Sequence, residues 1–146
     1  MLMVALILWV CPMIKTEKII EMIDTVQMDK KFAVGNDLVY LPDFKQSFND
    51  LFKQKVYTEN EILYCNLFED SILRFASTWA AKESVYKAVK QIDKSLFGWK
   101  DIEVLRSKVA GEPKVILHKH SGKFNVSLTI SHDGDYVWAL ALIRAI

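Results

Sequence analysis

Glu83 stands at a position where a charged residue needs a chemical explanation. If residues Glu69 to Ile92 form a helix at about 100° per residue, one face carries Glu83 at its centre and Lys87 one turn further on. The apolar residues of that face are Ile72, Phe75, Ala76, Trp79, Ala80 and Tyr86. A carboxylate among them needs a cation, hydrogen-bond donors, or a cleft in which a metal or ligand completes it. At this point a buried Glu83–Lys87 ion pair and a functional carboxylate explain the pattern equally well.

Asp37 is the second carboxylate of interest. Residues Phe32 to Val34 read as a strand, and Gly35 follows directly. We therefore expect a tight turn at Gly35 that swings Asn36 and Asp37 toward a site. Asp37 could also merely cap that turn.

The composition limits the class of protein that carries these residues. The chain has 146 residues, 51% of them hydrophobic, which is enough for one compact domain with its own core. Its formal net charge of +1 gives no global field that would favour nucleic acid or an anionic membrane. Three scattered histidines, His118, His120 and His132, do not make a zinc site. The absence of a nucleophile elbow, a Walker A motif and a GxGxxG motif argues against the commonest hydrolases and dinucleotide-binding proteins.

The first thirty-one residues are interpreted as an N-terminal extension of unknown role. The apolar stretch Met1 to Ile14 is shorter than the ~20 residues that span a bilayer, and it lacks a basic leader, so we expect no transmembrane helix or secretory signal. Lys15 to Val26 has the spacing of a short helix. Cys11 and Cys65 have no metal-ligand spacing, which indicates a reducing compartment, and we expect a cytoplasmic protein.

The remaining residues, 32–146, are predicted to form one α+β domain. Pro42 is expected to open a helix that runs to Phe52. Thr58 and Glu61, three residues apart, predict a capping box for a short helix that ends at Asn66. The long helix follows.

The second half of the chain changes to the alternation of strands. Strands are predicted at Trp99–Leu105, Lys114–Leu117, Asn125–Ser131 and Tyr136–Ile143. The last two should pair as an antiparallel hairpin, and Tyr136–Ile143, apolar on both faces, should be a central strand. The predicted architecture is a long helix that lies across an antiparallel sheet.

Several segments of the chain form a specific pattern in combination. They are Val34–Val39 with its Gly-x-Asp, Lys55–Cys65 with Thr-x-x-Glu, Trp79–Ala88 with Ala-Ala-Lys-Glu-x-x-x-Lys-Ala, and the strand, turn and Ser-His hairpin of Trp99–Val104, Gly111–Pro113 and Thr129–His132. In this order they resemble the holo-acyl-carrier-protein synthase family, the smaller class of 4′-phosphopantetheinyl transferases. The resemblance covers Val34 to Ile143 and implies the fold of that family.

The resemblance implies a reaction and a set of site residues. Phosphopantetheine would pass from coenzyme A to a serine of an apo acyl carrier protein, for fatty acid or polyketide synthesis, and 3′,5′-ADP would be released. By position, Asp37 and Glu83 would hold Mg²⁺ at the coenzyme A pyrophosphate, and Lys87 would serve as a catalytic counter-charge to the phosphates. Lys82 and His132 would contact the phosphates or the nucleotide. The general base stays open between Glu83 and a metal-bound water, and the family implies a homotrimer with active sites between subunits.

The chain also departs from the family in ways that keep other hypotheses open. Tyr40 and Asp43 occupy the places of a Glu and of an Arg that helps to grip the acidic carrier, and Ser95–Gly98 replaces a longer Gly-rich stretch. These changes favour a catalytically inactive relative that binds carrier protein or coenzyme A as a subunit. A purely structural Glu–Lys pair is a third interpretation. Retention of both carboxylates together with Lys87 favours the enzyme.

Overall fold

The computed structural model describes residues 31–106 and 112–146. The predictions for Met1–Ile14, for Lys15–Val26 and for Gly111 fall outside these residues, so the domain boundary at residue 31 stays a prediction. The helices are α1 (Leu41–Ser47), α2 (Asp50–Val56), α3 (Glu59–Cys65) and α4 (Ser71–Val89), with a 3-10 turn at Trp99–Asp101. The strands are β1 (Phe32–Tyr40), β2 (Ile102–Leu105), β3 (Lys114–Leu117), β4 (Phe124–Asp133) and β5 (Tyr136–Ala145).

The described strands form two antiparallel sheets. The larger sheet has the order β1-β5-β4, and β2 pairs with β3 in the smaller one. The apolar strand β5 is central, as its sequence predicts, because both of its edges are covered by neighbouring strands. In one row across the sheet, Asp37 of β1 is paired with Ala139, and Ala139 is paired with Ile130 of β4. The predicted α+β architecture is confirmed.

The long helix α4 lies across the larger sheet. It contacts β1, β5 and β4 on one side and β2, α3 and α1 on others, so almost its whole circumference is enclosed. Alanines at the contact let the sheet and helix approach closely, and Ala76, Ala80, Ala81 and Ala88 are all fully buried. The helix is shorter at both ends than the predicted Glu69–Ile92. It begins after Asp70, whose side chain accepts a hydrogen bond from Leu73 N, and it ends at Val89.

The expected tight turn at Gly35 is wrong. Strand β1 runs without interruption from Phe32 to Tyr40, and Gly35 does not have a positive φ. A Cβ atom at Gly35 would lie 1.9 Å from the carbonyl oxygen of Ser84 and 2.7 Å from the backbone nitrogen of Ala88. Glycine is therefore required here by the close approach of α4 and not by an unusual backbone conformation.

The single helix predicted from Pro42 to Phe52 is also wrong, because Phe48 interrupts it. Pro42 does open α1, but the backbone becomes extended at Phe48, and the Asn49 side chain accepts a hydrogen bond from Phe52 N to start α2. The break allows the rings of Phe48 and Phe52 to reach α4, where they contact Phe75 and Trp79, respectively. Tertiary packing of aromatic rings thus overrides helical continuity.

The predicted capping box before α3 is confirmed. Thr58 Oγ1 accepts a hydrogen bond from Glu61 N, and Glu61 Oε2 accepts one from Thr58 N at 2.8 Å. Within residues 31–106 and 112–146, no helix combines the length and apolar character needed to cross a bilayer.

Candidate active site

Asp37, Glu83 and Lys87 meet at the contact between β1 and α4. Lys87 Nζ lies 2.7 Å from Asp37 Oδ1 and 3.9 Å from Glu83 Oε2, and it also donates to the carbonyl oxygen of Asn36 at 3.2 Å. The side chain of Lys87 is 47% exposed, whereas those of Asp37 and Glu83 are 14% and 20% exposed. The two carboxylates therefore line a partly open cleft that the lysine enters from the solvent side.

The strand and the helix place these side chains by simple geometry. Alternate residues of β1 face α4, so Asp37 follows Gly35 on the inner side of the strand. Gly35 brings the strand against the backbone of Ser84, which is the residue after Glu83. Lys87 lies one helical turn beyond Glu83 and shares its face. In the Gly-x-Asp segment, Gly35 thus allows β1 to approach α4 closely, and this close approach places Asp37 beside Lys87.

The electrostatics of this cluster favour an added cation. The pKa of Glu83 is raised by burial and further raised by the charge of Asp37, while Lys87 lowers it in part. Two carboxylates and one ammonium carry one net negative charge in a partly desolvated cleft.

The donor set of the cluster fits a hard divalent cation. Magnesium is commonly held by one or two carboxylates, with water and substrate phosphates in the remaining positions. In the described part of the chain, no group of three or more His, Cys, Asp or Glu side chains is arranged to hold a metal. Asp37 and Glu83 are a pair of carboxylates only, and such a pair would suit a metal shared with a phosphate better than a structural metal.

The structure places Lys82 away from this cluster. Its side chain is fully buried, and its ammonium donates to Glu61 Oε2 and to the Ile102 carbonyl oxygen, both at 2.6 Å. Desolvation lowers the pKa of Lys82, and the Glu61 carboxylate opposes that effect. The resemblance implies contact with a phosphate of coenzyme A, but the buried ammonium is already satisfied by protein groups. We therefore leave Lys82 out of the proposed coenzyme A site.

A hydrogen-bond network around Lys82 fixes the elements that carry the site. Glu61 also accepts from Val104 N at 2.8 Å, which ties α3 to β2. The neighbouring Glu103 accepts hydrogen bonds from Thr58, Asn60 and His118. Burial raises the pKa of Glu103, but these three hydrogen bonds outweigh burial and hold the pKa below its ordinary value.

His132 is exposed on β4, near the turn to β5. In the register of the sheet it is paired with Val137, two positions along β5 from Ala139, the partner of Asp37. Two strand spacings of about 4.8 Å separate β4 from β1, and the offset of two residues adds about 6.6 Å along the strand, so the backbones of His132 and Asp37 are roughly 12 Å apart. Within one copy of the chain, His132 does not join the carboxylate cluster.

Arg74 and Arg106 form a basic pair that the sequence analysis did not single out. Arg106 donates to Thr78 Oγ1 and to the Arg74 carbonyl oxygen. Arg106 lies over the ring of Tyr64 at 4.6 Å and Arg74 over that of Phe68 at 4.3 Å. Among the described residues, neither guanidinium forms an ion pair with a carboxylate, and both buried Nε atoms lack a hydrogen-bond acceptor.

The chemistry of this pair suits an anion. Desolvation lowers the pKa of Arg106, and the nearby charge of Arg74 adds to that effect. Guanidinium groups bind phosphate well because their N–H groups match its oxygens. The two arginines are 32 residues apart, so no local spacing in the sequence could reveal that they meet.

The comparisons with known proteins agree on one family. The model of the 4′-phosphopantetheinyl transferase superfamily matches residues 33–141. The chain is 34% identical over 114 residues to a holo-acyl-carrier-protein synthase of Chlorobaculum parvum, and the match covers 76% of this chain and 97% of that protein. It is 37% identical over 118 residues to the fatty acid synthase alpha subunit hexA of Dothistroma septosporum, where the match covers 75% of this chain but only 7% of the much longer subunit.

The solved structures lead to the same fold. The ACPS–CoA complex of Chronobacterium ammoniagenes superimposes with a TM-score of 0.68 at 29% identity, over 80% of this chain and 99% of that one. Residues 33–141, which the family model matches, include Asp37, Glu83 and Lys87.

Proposed function

Because the chain belongs to the 4′-phosphopantetheinyl transferase superfamily, a family of enzymes, we propose that it transfers 4′-phosphopantetheine from coenzyme A to a serine of an apo acyl carrier protein. The observation that carries the proposal is the meeting of Asp37, Glu83 and Lys87 in one partly open cleft. A structural role would be met by one buried ion pair. Two carboxylates around a single half-exposed ammonium leave excess negative charge, which suits a cation and a phosphate.

In the proposed reaction the serine oxygen attacks the phosphorus that carries the pantetheine arm. A new phosphorus–oxygen bond forms, the bond to the bridging pyrophosphate oxygen breaks, and 3′,5′-ADP leaves with the electron pair. Asp37 and Glu83 would hold Mg²⁺, which supplies charge neutralisation at the pyrophosphate when bound. Lys87 would neutralise charge on a phosphate oxygen from the other side of the cleft.

The serine proton needs an acceptor, and Glu83 is one candidate. Its carboxylate lies in the cleft beside Asp37 and Lys87, where the serine hydroxyl would enter. The alternative acceptor, a water molecule in the cleft, stays open. The position of Glu83 on a rigid helix supports either role, since its carboxylate is held where the reacting groups would meet.

A second phosphate contact is proposed at the Arg74–Arg106 pair. Coenzyme A carries a phosphate monoester besides its pyrophosphate, and two guanidinium groups without a described carboxylate partner are suited to such a group. Arg106→Met should raise KM for coenzyme A with a smaller effect on kcat, because the phosphate is remote from the reacting bond. A fall in kcat without a change in KM would contradict this assignment.

The proposed quaternary structure is the homotrimer implied by the family resemblance. The side of the larger sheet that faces away from α4 carries large apolar side chains, each at least 40% exposed: Phe32, Val34, Leu38, Tyr40, Tyr136, Trp138 and Leu142. We call this surface the outer sheet face. Copies of the chain would bury it, as is expected for apolar side chains that are exposed side by side. A cytoplasmic location remains part of the proposal and is compatible with the fully buried free thiol of Cys65.

An inactive relative that binds carrier protein or coenzyme A is the second candidate function. Two features favour it: the ring of Tyr40 contacts that of Tyr136 in a tilted arrangement, with centroids 5.1 Å apart, and Asp43 is acidic in the first turn of α1. The place of the expected carrier-gripping arginine is therefore acidic, which disfavours an acidic carrier on this helix.

Intact mass spectrometry of apo carrier proteins distinguishes the two functions. The carrier is incubated with the protein, coenzyme A and Mg²⁺, beside an EDTA control, the variant Glu83→Gln and a matched control, Glu69→Gln, which makes the same change at an exposed residue. Addition of phosphopantetheine by the wild type and by Glu69→Gln, but not with EDTA or Glu83→Gln, is expected. Coenzyme A binding without a mass gain on any carrier would favour the binding subunit.

A further inference from the structure

We propose that Lys87 closes the two-carboxylate cleft when no metal is bound and moves to a coenzyme A phosphate when a divalent cation enters. Metal and coenzyme A would then bind with positive cooperativity, and part of that cooperativity would come from Lys87. This inference rests on the proposed function and adds an account of how its two ligands are coupled.

The geometry places Lys87 in competition with a cation. Its ammonium contacts Asp37 Oδ1 at 2.7 Å, the Asn36 carbonyl oxygen at 3.2 Å and Glu83 Oε2 at 3.9 Å. These contacts occupy the space between the two carboxylates. A cation held by both carboxylates must displace the ammonium from Asp37, so metal binding without coenzyme A is opposed by the loss of that ion pair.

The charges of the cleft explain why a phosphate would make metal binding favourable. With Lys87 in place the three groups carry one net negative charge, and a divalent cation would leave one net positive charge. The ammonium and the cation would then repel each other in a partly desolvated cleft. A pyrophosphate group supplies two negative charges and returns the cleft to its original net charge, while it gives Lys87 a new partner.

The lysine side chain is free to make this movement. It is the most exposed member of the cluster, and its flexible four-carbon stem can reorient without a change in the helix. Its contacts to Asp37 and Asn36 are to β1, whereas its backbone belongs to α4. Only the side chain has to change partners.

Binding of Mn²⁺ followed by electron paramagnetic resonance measures this coupling directly, because the free ion gives the signal. Titrations are made on the wild type, on Lys87→Met and on Lys90→Met, with and without coenzyme A and without any carrier protein. Lys90→Met is the matched control, since Lys90 is the C-cap residue of the same helix but its ammonium donates to the carbonyl oxygens of Lys94 and Ser95. The affinity of Mn²⁺ for coenzyme A alone is measured and subtracted.

The expected result for Lys87→Met is a higher affinity for Mn²⁺ and a weaker coupling between Mn²⁺ and coenzyme A. Lys87→Met should bind Mn²⁺ about tenfold more tightly than the wild type in the absence of coenzyme A, and the further tightening produced by coenzyme A should shrink by a similar factor. By reciprocity, Mn²⁺ should strengthen coenzyme A binding less in this variant than in the wild type. Lys90→Met should behave like the wild type.

Other outcomes overturn the inference and separate it from the proposed function. If Lys87→Met weakens coenzyme A binding but leaves the Mn²⁺ affinity of the free protein unchanged, Lys87 is only a phosphate ligand. If neither affinity changes, Lys87 has no part in either site. If the wild type also fails to add phosphopantetheine to any carrier and binds no Mn²⁺, the proposed function fails as well. Circular dichroism checks folding, and Lys87→Gln provides a second variant.

Discussion

At the scale of single residues, Glu83 carries a cost to stability that its proposed function explains. Burial and the charge of Asp37 raise its pKa in the folded protein, whereas in the unfolded chain its pKa is ordinary. Between these two pKa values the folded protein binds more protons than the unfolded chain. The free energy of unfolding therefore falls as pH rises through this interval, and the loss persists at neutral pH.

The first prediction concerns Glu83→Gln and stability. The amide keeps the shape of the side chain but has no charge to be desolvated or repelled by Asp37, so the variant should be more stable than the wild type at pH 7. The difference should shrink as pH falls toward the pKa of an ordinary carboxyl group. Urea unfolding from pH 4 to pH 8 measures both trends, and Glu69→Gln serves as the control. A variant less stable than the wild type at pH 7 would show that Glu83 is mainly a structural partner of Lys87.

Lys82 and Lys87 show that helical spacing does not decide which lysine of a helix is buried and which is exposed. Both were candidates to contact coenzyme A, yet Lys82 is fully buried against Glu61 while Lys87 is half exposed beside Asp37. The difference arises because α4 is enclosed on several sides, so an apolar stripe read from the sequence does not mark the only buried face. The partner of Lys82 comes from α3, 21 residues earlier, and no local pattern identifies it.

The second prediction separates a structural lysine from a ligand. Lys82→Met leaves the Glu61 carboxylate buried without its cation, which should lower the free energy of unfolding by about 3–5 kcal/mol. The coenzyme A affinity of the folded fraction should not change. Denaturant unfolding and calorimetric titration below the unfolding transition measure the two quantities. A large loss of affinity with unchanged stability would restore Lys82 to the coenzyme A site.

At the scale of elements, the site depends on how closely β1 approaches α4. The third prediction is that Gly35→Ala disrupts this contact, because its Cβ would lie 1.9 Å from the Ser84 carbonyl oxygen. Both clashing groups are backbone, so the helix must move, and the cost should reach at least about 3 kcal/mol. The movement would also separate Asp37 from Glu83 and Lys87, so Mn²⁺ affinity should fall together with stability.

One control variant makes the Gly35 experiment specific. Gly134→Ala changes a glycine whose added Cβ meets no atom within 4 Å, although its φ of 53° adds backbone strain. It should lower stability without lowering the Mn²⁺ affinity of the folded protein, because the hairpin turn lies outside the β1–α4 contact. If Gly35→Ala keeps both its stability and its metal affinity, the close approach is not what positions Asp37.

The elements with strong local signals could be predicted, and those set by packing could not. The Thr58 capping box, the central strand β5 and the β4–β5 hairpin follow from local residue types and alternation. The break at Phe48 and the uninterrupted strand at Gly35 depend on contacts with α4 that are distant in sequence. At the site, the resemblance named Asp37, Glu83 and Lys87, but only the fold brings Asp37 to Lys87, 50 residues later.

At the scale of the whole molecule, the two sides of the larger sheet differ in burial. One side is covered by α4, while the outer sheet face leaves large apolar side chains in solvent. His132 is also two strands and two residues away from Asp37 in the same copy, so a single copy does not assemble every residue implied for the site. A homotrimer would account for both observations, since neighbouring copies could cover the face and bring His132 to another copy's carboxylates.

The fourth prediction tests this arrangement with Leu38→Lys. Leu38 belongs to the outer sheet face, where it lies on the edge strand β1 beside Trp138, and it is 62% exposed. A charge there would be desolvated in an interface but tolerated in a monomer, so the variant should dissociate while its circular dichroism stays unchanged. Light scattering after size-exclusion chromatography should show a trimer for the wild type and for Leu63→Lys, which makes the same change at a 67% exposed residue of α3.

Because the site would need a neighbouring copy, dissociation should also abolish transfer of phosphopantetheine. A monomeric wild type, or a Leu38→Lys monomer that keeps full activity, would show that the site is complete within one chain and that the outer sheet face serves another purpose.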